Sequence, residues 1–225
     1  VFTRPSRAWE GLRERPQWWF PLLLVAVLNL GFISLVYERA LLPDMLDQWQ
    51  AQVEAGRMPP AQFDKMEAAA GTWAMKGTIF AFAPVGYVVV TLVFALIASF
   101  GVSFILGAKL PFRLALEVVS WSGLVKIVEY PLLLLLAWTS ESMKAVHLSL
   151  AALLPASDPP ARWHAAVNVL LDAFGPFNIW FFVVGVIGCS VLSGAPRRNV
   201  AWVLGGLGMA LVAIAALFSG CSPGA

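Results

Sequence analysis

Residues 119–137 read VSWSGLVKIVEYPLLLLLA, and this stretch decides the fold class. An apolar segment of about 20 residues crosses roughly 30 Å of hydrocarbon as an α-helix, and the leucine run belongs to such a segment. Lys126 and Glu129 lie just before the run and are followed at once by Tyr130 and Pro131. The stretch therefore predicts a membrane-spanning helix that carries two opposite charges near its middle.

The composition of the whole chain also indicates a membrane protein. Of the 225 residues, 60% are hydrophobic and 12% are charged, whereas a soluble domain has about 45–50% apolar and about 25% charged residues. Backbone groups cannot stay unpaired in lipid, so these runs must be helices, and their unbroken apolarity excludes a β-barrel. We expect an all-α, polytopic bundle in one membrane domain, with five transmembrane helices at 18–37, 78–106, 118–139, 174–194 and 200–219.

The charges of alternate links predict the orientation of the bundle. The segment before the first span and the links after the second and fourth spans together carry eight basic and three acidic residues. The longer links on the other side carry six basic and nine acidic residues. Because short basic links are retained in the cytoplasm, we expect the N-terminus inside and the C-terminus outside.

Residues 38–77 are predicted to form an extracytoplasmic helical hairpin between spans one and two. Asp44 or Pro43 can start its first helix, which runs to about Ala55, and Gly56 is a natural stop. Pro59 and Pro60 start the second helix. Apolar residues at spacings of three or four form a stripe on the first helix: Leu42, Met45, Leu46, Trp49 and Val53. Two roles remain open for the hairpin: it covers the ends of the spans, or it is a partner-binding module.

The second polar link, residues 140–172, should lie on the same outer side. It contains a PASDPP turn at 155–160 between two weakly amphipathic stretches, LSLAALL and WHAAVNVLL.

Small residues in the last two spans predict close helix packing. Gly185 and Gly188 lie in the fourth span, and Gly205, Gly206 and Gly208 lie in the fifth. Because small residues let helix backbones approach, these positions belong to the bundle interior or to a dimer seam.

The sequence offers no motif for a catalytic, metal or cofactor site. His147 and His164 are isolated, and the bilayer should separate Cys189 from Cys221, so no disulfide is expected. The spans contain no histidine or aspartate that could serve a nucleophile as a base. We expect neither an enzyme nor a nucleic-acid-binding protein.

Lys126 and Glu129 need a partner inside the membrane. Each would cost about 2.5–3.5 kcal/mol alone at the centre of a spanning helix, whereas each leucine returns only about 0.3–0.6 kcal/mol. A spacing of three residues brings the two charges onto one helix face, and Pro131 frees the carbonyl of Ile127 as a further acceptor. The pair is either an internal clamp or part of a polar cavity or ion path.

Four patches along the chain share a pattern of aromatic, proline and small residues: FTRPSRAWEGLRERPQWWFPLLL from Phe2, the polar segment at 56–65, KLPFRLALEVVSWSGL from Lys109, and FGPFNIWFFVVGVIGCSVLSG from Phe174. As a set they resemble the prokaryotic Yip-domain proteins, relatives of eukaryotic Ypt/Rab-interacting membrane proteins. The resemblance covers nearly the whole chain and implies five spans with a cytoplasmic N-terminus, in a bacterial inner membrane. The Asp-Leu-Tyr-Gly-Pro motif of many eukaryotic members is absent, so the resemblance does not support binding of a small GTPase.

Two functions follow as hypotheses. The first is a non-catalytic scaffold that organises the membrane through helix packing and contacts with lipid, with its own copies or with other membrane proteins. The alternative is a small transporter or channel with a polar site at Lys126 and Glu129.

Overall fold

The computed structural model describes residues 9, 11–12, 17–139, 148–154 and 162–221. This part of the chain is helical, and five of its helices are long and apolar enough to cross a membrane. They are Trp19–Glu54, Trp73–Ile105, Phe112–Trp138, Pro176–Ser193 and Arg197–Phe218. The predicted all-α fold with five candidate spans is therefore confirmed.

The first span continues into the hairpin without a break. Helix α1 (Trp19–Val36) leads through a π-helical turn, Tyr37–Leu41, directly into α2 (Leu42–Glu54). Helix α2 begins at Leu42, one residue before the predicted start at Pro43, but no loop separates it from the span. A proline ring clashes with the carbonyl four residues earlier in an α-helix. The wider π turn, in which the Leu42 N–H donates to the Tyr37 carbonyl, accommodates that ring.

Helices α2 and α3 (Pro60–Ala70) form the predicted hairpin. Gly56 has φ of 69°, a left-handed conformation that ends α2, and Pro59 precedes the start of α3. The apolar stripe of α2 is partly buried, as are Phe63 and Met66 of α3. The two helices therefore share an apolar contact.

Two interactions fasten the hairpin to the first two spans. The Tyr37 hydroxyl donates to the Ala70 carbonyl at 2.9 Å. Lys76, at the entry to the second span, forms an ion pair with Glu38.

The remaining helices complete the bundle. They are α4 (Trp73–Phe100), which ends in a π turn at Gly101–Ile105; α5 (Phe112–Ser122) and α6 (Lys126–Thr139), joined by the 3₁₀ turn Gly123–Val125; α7 (Arg162–Ala173); α8 (Pro176–Ser193); and α9 (Arg197–Cys221). Helix α7 packs along α9. The LSLAALL stretch contains only a 3₁₀ turn, Leu150–Leu153, and the predicted PASDPP turn lies outside the described residues.

The main core lies at one end of the bundle. Its buried members include Trp9 from the N-terminal segment, Leu110 from the link after span two, and Val200 just after the link between spans four and five. The described parts of the three basic regions therefore meet at the same end, as spans that cross the membrane in alternate directions require.

The glycines of the last two spans pack to different degrees. A Cβ added at Gly188 would lie 2.8 Å from Val118 Cγ1 and 2.9 Å from the Trp9 ring, so this glycine permits a close contact. A Cβ added at Gly185 would lie 3.8 Å from Ser122 Oγ, and one added at Gly205 would lie 3.5 Å from Phe182 Cζ, which are ordinary contact distances. At Gly206 and Gly208 it would meet no described atom within 4 Å, so these two make no close helix contact within the described chain.

Candidate functional site

Lys126 and Glu129 form an ion pair at the start of α6. Lys126 Nζ lies 2.6 Å from Glu129 Oε2, across one helical turn. Their side chains are 29% and 15% exposed, so the pair is neither sealed in the core nor open to the surroundings on all sides.

A close approach between spans two and three precedes this pair. A Cβ added at Gly123 would lie 2.5 Å from the Tyr87 hydroxyl oxygen, so only glycine fits beneath that hydroxyl without movement. The chain passes this point as a 3₁₀ turn, and α6 begins at Lys126 directly after it. The sequence reasoning missed Gly123 because a single glycine in a span carries no signal about its neighbour.

The ion pair faces a polar cavity of about 400 Å³. Span three contributes Lys126, Glu129 and Leu133 to its wall. The opposite wall comes from the second polar link and the start of span four: Leu148, Ser149, Asp172, Gly175, Phe177 and Asn178. The charges in the stretch 119–137 therefore line a cavity shared by three segments of the chain.

Asp172 adds a second carboxylate to this cavity. Ser149 Oγ donates to Asp172 Oδ1 at 2.5 Å, and Asn178 Nδ2 donates to the Asp172 carbonyl at 2.8 Å. Ser149 Oγ also accepts from the Ala151 N–H at 3.2 Å. These bonds hold the end of α7 and the start of α8 in place. The sequence reasoning placed Asp172 in a link and did not foresee it in the wall of the cavity.

Tyr130 and Pro131 do not line the cavity. The Tyr130 hydroxyl accepts a hydrogen bond from Asn29 Nδ2 at 3.1 Å, and its ring stacks on Phe32 with a centroid distance of 5.3 Å. Helix α6 runs through Pro131. Tyr130 therefore joins span three to span one, through an asparagine that the sequence reasoning did not consider.

Glu117 is fully buried, although the sequence reasoning counted it as a link charge. The Gln17 N–H donates to both of its carboxylate oxygens, at 2.9 and 3.1 Å, and Trp121 Nε1 donates at 2.9 Å. Gln17 lies just before α1, where the unpaired N–H groups of a helix favour an anion. Glu117 therefore fastens the entry of span one to span three.

An apolar groove of about 300 Å³ adjoins the polar cavity. Asn178 lines both. The groove runs between spans two, three, four and five, and its wall includes Phe94, Ala98, Val118, Phe181, Phe182, Gly185, Cys189, Leu204, Gly208 and Leu211. Ser122 also lines it, fully buried and with no hydrogen-bond partner for Oγ among the described residues.

The chemistry of the site suits binding. The described residues of the cavity wall include one ammonium and two carboxylates that can hold a polar group, and the groove beside them can take an apolar one. Within the described part of the chain, no three histidine, cysteine or acidic side chains converge as a metal site would require.

These features define a multi-pass helical membrane protein with an ion pair that faces a polar cavity. The model of the Yip1 domain matches residues 1–218. The chain therefore belongs to the Yip1-domain family, and the resemblance seen in its sequence is confirmed. No curated protein and no solved structure matches the chain.

Proposed function

We propose that the protein is a non-catalytic membrane scaffold that works through helix contacts of its fifth span. One observation carries the proposal. Only 11% of the apolar window of that span is buried within the chain, against 28–39% in the other four. Most of its surface is therefore left for lipid or for another membrane helix.

The exposed face of α9 suits a second helix. Trp202, Gly206, Ala210 and Leu217 are exposed and lie at spacings that share one face. Gly206 and Ala210 form a small-xxx-small pair, which lets two backbones approach and pack. A second copy of the chain is the simplest partner for this face.

Substitution of Gly206 tests the proposed contact. In lipid nanodiscs loaded over a range of protein densities, photobleaching of a single fluorophore per chain counts the copies in each complex. We expect more than one copy for the wild type and one copy for Gly206→Leu, because the leucine blocks the close approach.

Gly86→Leu is the matched control. Gly86 is also a spanning glycine at which an added Cβ meets no described atom within 4 Å, so this variant should keep the wild-type count. A single wild-type copy at every density, together with no membrane protein captured by cross-linking in the native membrane, would refute the scaffold proposal.

The proposed orientation has the N-terminus in the cytoplasm, in a bacterial cytoplasmic membrane. The excess of basic residues at one end supports this orientation. In a background without native cysteines, Glu67→Cys should react with an impermeant thiol reagent added outside, and Arg198→Cys only after permeabilisation. The reverse labelling pattern would show that the N-terminus lies outside the cytoplasm.

Transport is the second candidate function, and the polar cavity favours it. A charged pair that faces a cavity is a common feature of solute paths. A variant with both Lys126 and Glu129 replaced by leucine separates the two functions. If this variant inserts and assembles like the wild type but loses a flux measured in vesicles, transport replaces the scaffold proposal.

A further inference from the structure

We propose that the polar cavity and the apolar groove together bind one phospholipid whose headgroup carries a phosphate and a primary amine. This site lies apart from the outward face of α9, so the inference goes beyond the scaffold proposal. In this arrangement the headgroup occupies the cavity and one acyl chain occupies the groove.

The two spaces adjoin on two helices. Asn178 of α8 lines both of them. On span three, Ser122 lines the groove and Lys126, four residues later, lines the cavity. A molecule that lies along these two helices would therefore contact both spaces.

The dimensions match one leaflet of a bilayer. The groove follows α8 from Asn178 to Cys189, which is roughly 17 Å of helix at 1.5 Å per residue. Half of the hydrocarbon core is about 15 Å thick. The polar end lies two residues after the start of α8 at Pro176, and the apolar end, at Cys189, lies four residues before the helix ends at Ser193. This order of polar and apolar parts is that of a membrane lipid.

The groove is also accessible from the side. Its wall includes three side chains that are exposed on the surface of the protein: Phe94, Phe182 and Leu211. Because these side chains face the bilayer, an acyl chain can enter laterally and does not have to leave the hydrocarbon.

The charges of the cavity select the headgroup. The Lys126 ammonium suits a phosphate, and the carboxylates of Glu129 and Asp172 suit an ammonium. Among the described lining residues, two carboxylates face one ammonium, a balance that disfavours a lipid with net negative charge. A primary ammonium has three N–H donors for Asp172 and Ser149, whereas a trimethylated one has none, so the amine is preferred.

A photoreactive lipid tests the site. The full chain is reconstituted in phosphatidylcholine vesicles with phosphatidylethanolamine that carries a diazirine on one acyl chain, and mass spectrometry maps the labelled residues. We expect labels on the groove-lining positions of α8 and α9. Unlabelled phosphatidylethanolamine should compete about tenfold better than phosphatidylcholine or phosphatidylglycerol, since hydrogen bonds to charged groups are among the stronger ones.

Two variants examine the two halves of the site separately. Gly208→Leu should fill the groove and remove its label, whereas Gly86→Leu, away from the groove, should not. Asp172→Asn should remove the preference for the amine headgroup while a choline-headed probe still labels the groove, which shows that the variant is folded.

Three outcomes would overturn the inference. The first is labelling spread over the lipid-facing surface with none concentrated in the groove. The second is equal competition by all three headgroups, and the third is an unchanged preference for the amine in Asp172→Asn.

Discussion

Gly188→Ala should destabilise the bundle at the contact that buries the N-terminal segment. The added methyl group would lie 2.8 Å from Val118 Cγ1 and 2.9 Å from the Trp9 ring. Overpacking of this kind costs about 1–3 kcal/mol, and the higher helix propensity of alanine returns about 0.5–1 kcal/mol. We expect a net loss of up to about 2.5 kcal/mol in the free energy of unfolding.

The assay is equilibrium unfolding in mixed micelles, followed by tryptophan fluorescence. Gly185→Ala is the matched control, because it lies one turn earlier on the same helix and its nearest neighbour would be Ser122 Oγ at 3.8 Å. This control should gain about 0.5–1 kcal/mol from helix propensity alone. The two alanines should therefore change stability in opposite directions.

A second background identifies the cause of the loss. Val118→Ala removes the Cγ1 atom that an alanine at 188 would approach, so Gly188→Ala should cost less in that background than in the wild type. If both alanines stabilise the protein equally, Trp9 and Val118 do not pack on Gly188 and the proposed seating of the N-terminal segment is wrong.

Three further sets of substitutions test the contacts around span three. Lys126→Leu or Glu129→Leu alone should lower the yield of inserted protein and its thermal stability by more than the double replacement does. The reason is that each single change leaves one charge unpaired. A double variant that is less stable than both single variants would contradict the ion pair. Gly123→Ala should lower the midpoint of thermal unfolding, and adding Tyr87→Phe should restore it. Without the hydroxyl, the atom nearest to the new Cβ is the ring carbon Cζ at 3.9 Å. If Tyr87→Phe does not restore the midpoint, Tyr87 does not set this contact. Glu117→Leu should lower the free energy of unfolding by about 1–3 kcal/mol, because it leaves the Gln17 N–H unpaired. Glu117→Gln keeps one acceptor oxygen and should lower it by less. Equal losses in the two variants would mean that the hydrogen bonds of Glu117 do not stabilise the bundle.

The spans and the hairpin could be predicted because their signals are local. The length of an apolar run defines a span whatever surrounds it, and Gly56 with the two following prolines defines the turn between α2 and α3. Pro43 shows the limit of local reasoning. A proline predicts a helix start, yet a π turn at Tyr37–Leu41 accommodates it within a continuous helix.

The pairing of Lys126 with Glu129 was expected from their spacing, and a polar cavity beside them was one of two open interpretations, but the segments that form its opposite wall could not be predicted. Asp172 lies 43 positions after Glu129 in the sequence, and only the fold brings both to the same wall. Glu117 is a similar case, because its donors come from Gln17, 100 positions earlier, and from its own helix. Neither contact has a periodic pattern in the sequence that could reveal it.

The access of water to the ion pair tests the account most directly. Leu133 lines the cavity, whereas Leu135, on the same helix, is 65% exposed on the outer surface of the bundle. In a background without native cysteines, a small water-soluble thiol reagent should modify Leu133→Cys and leave Leu135→Cys unmodified, because lipid shields the second position. Modification of Leu135→Cys with protection of Leu133→Cys would show that the pair lies in a closed core, and the polar cavity would not exist.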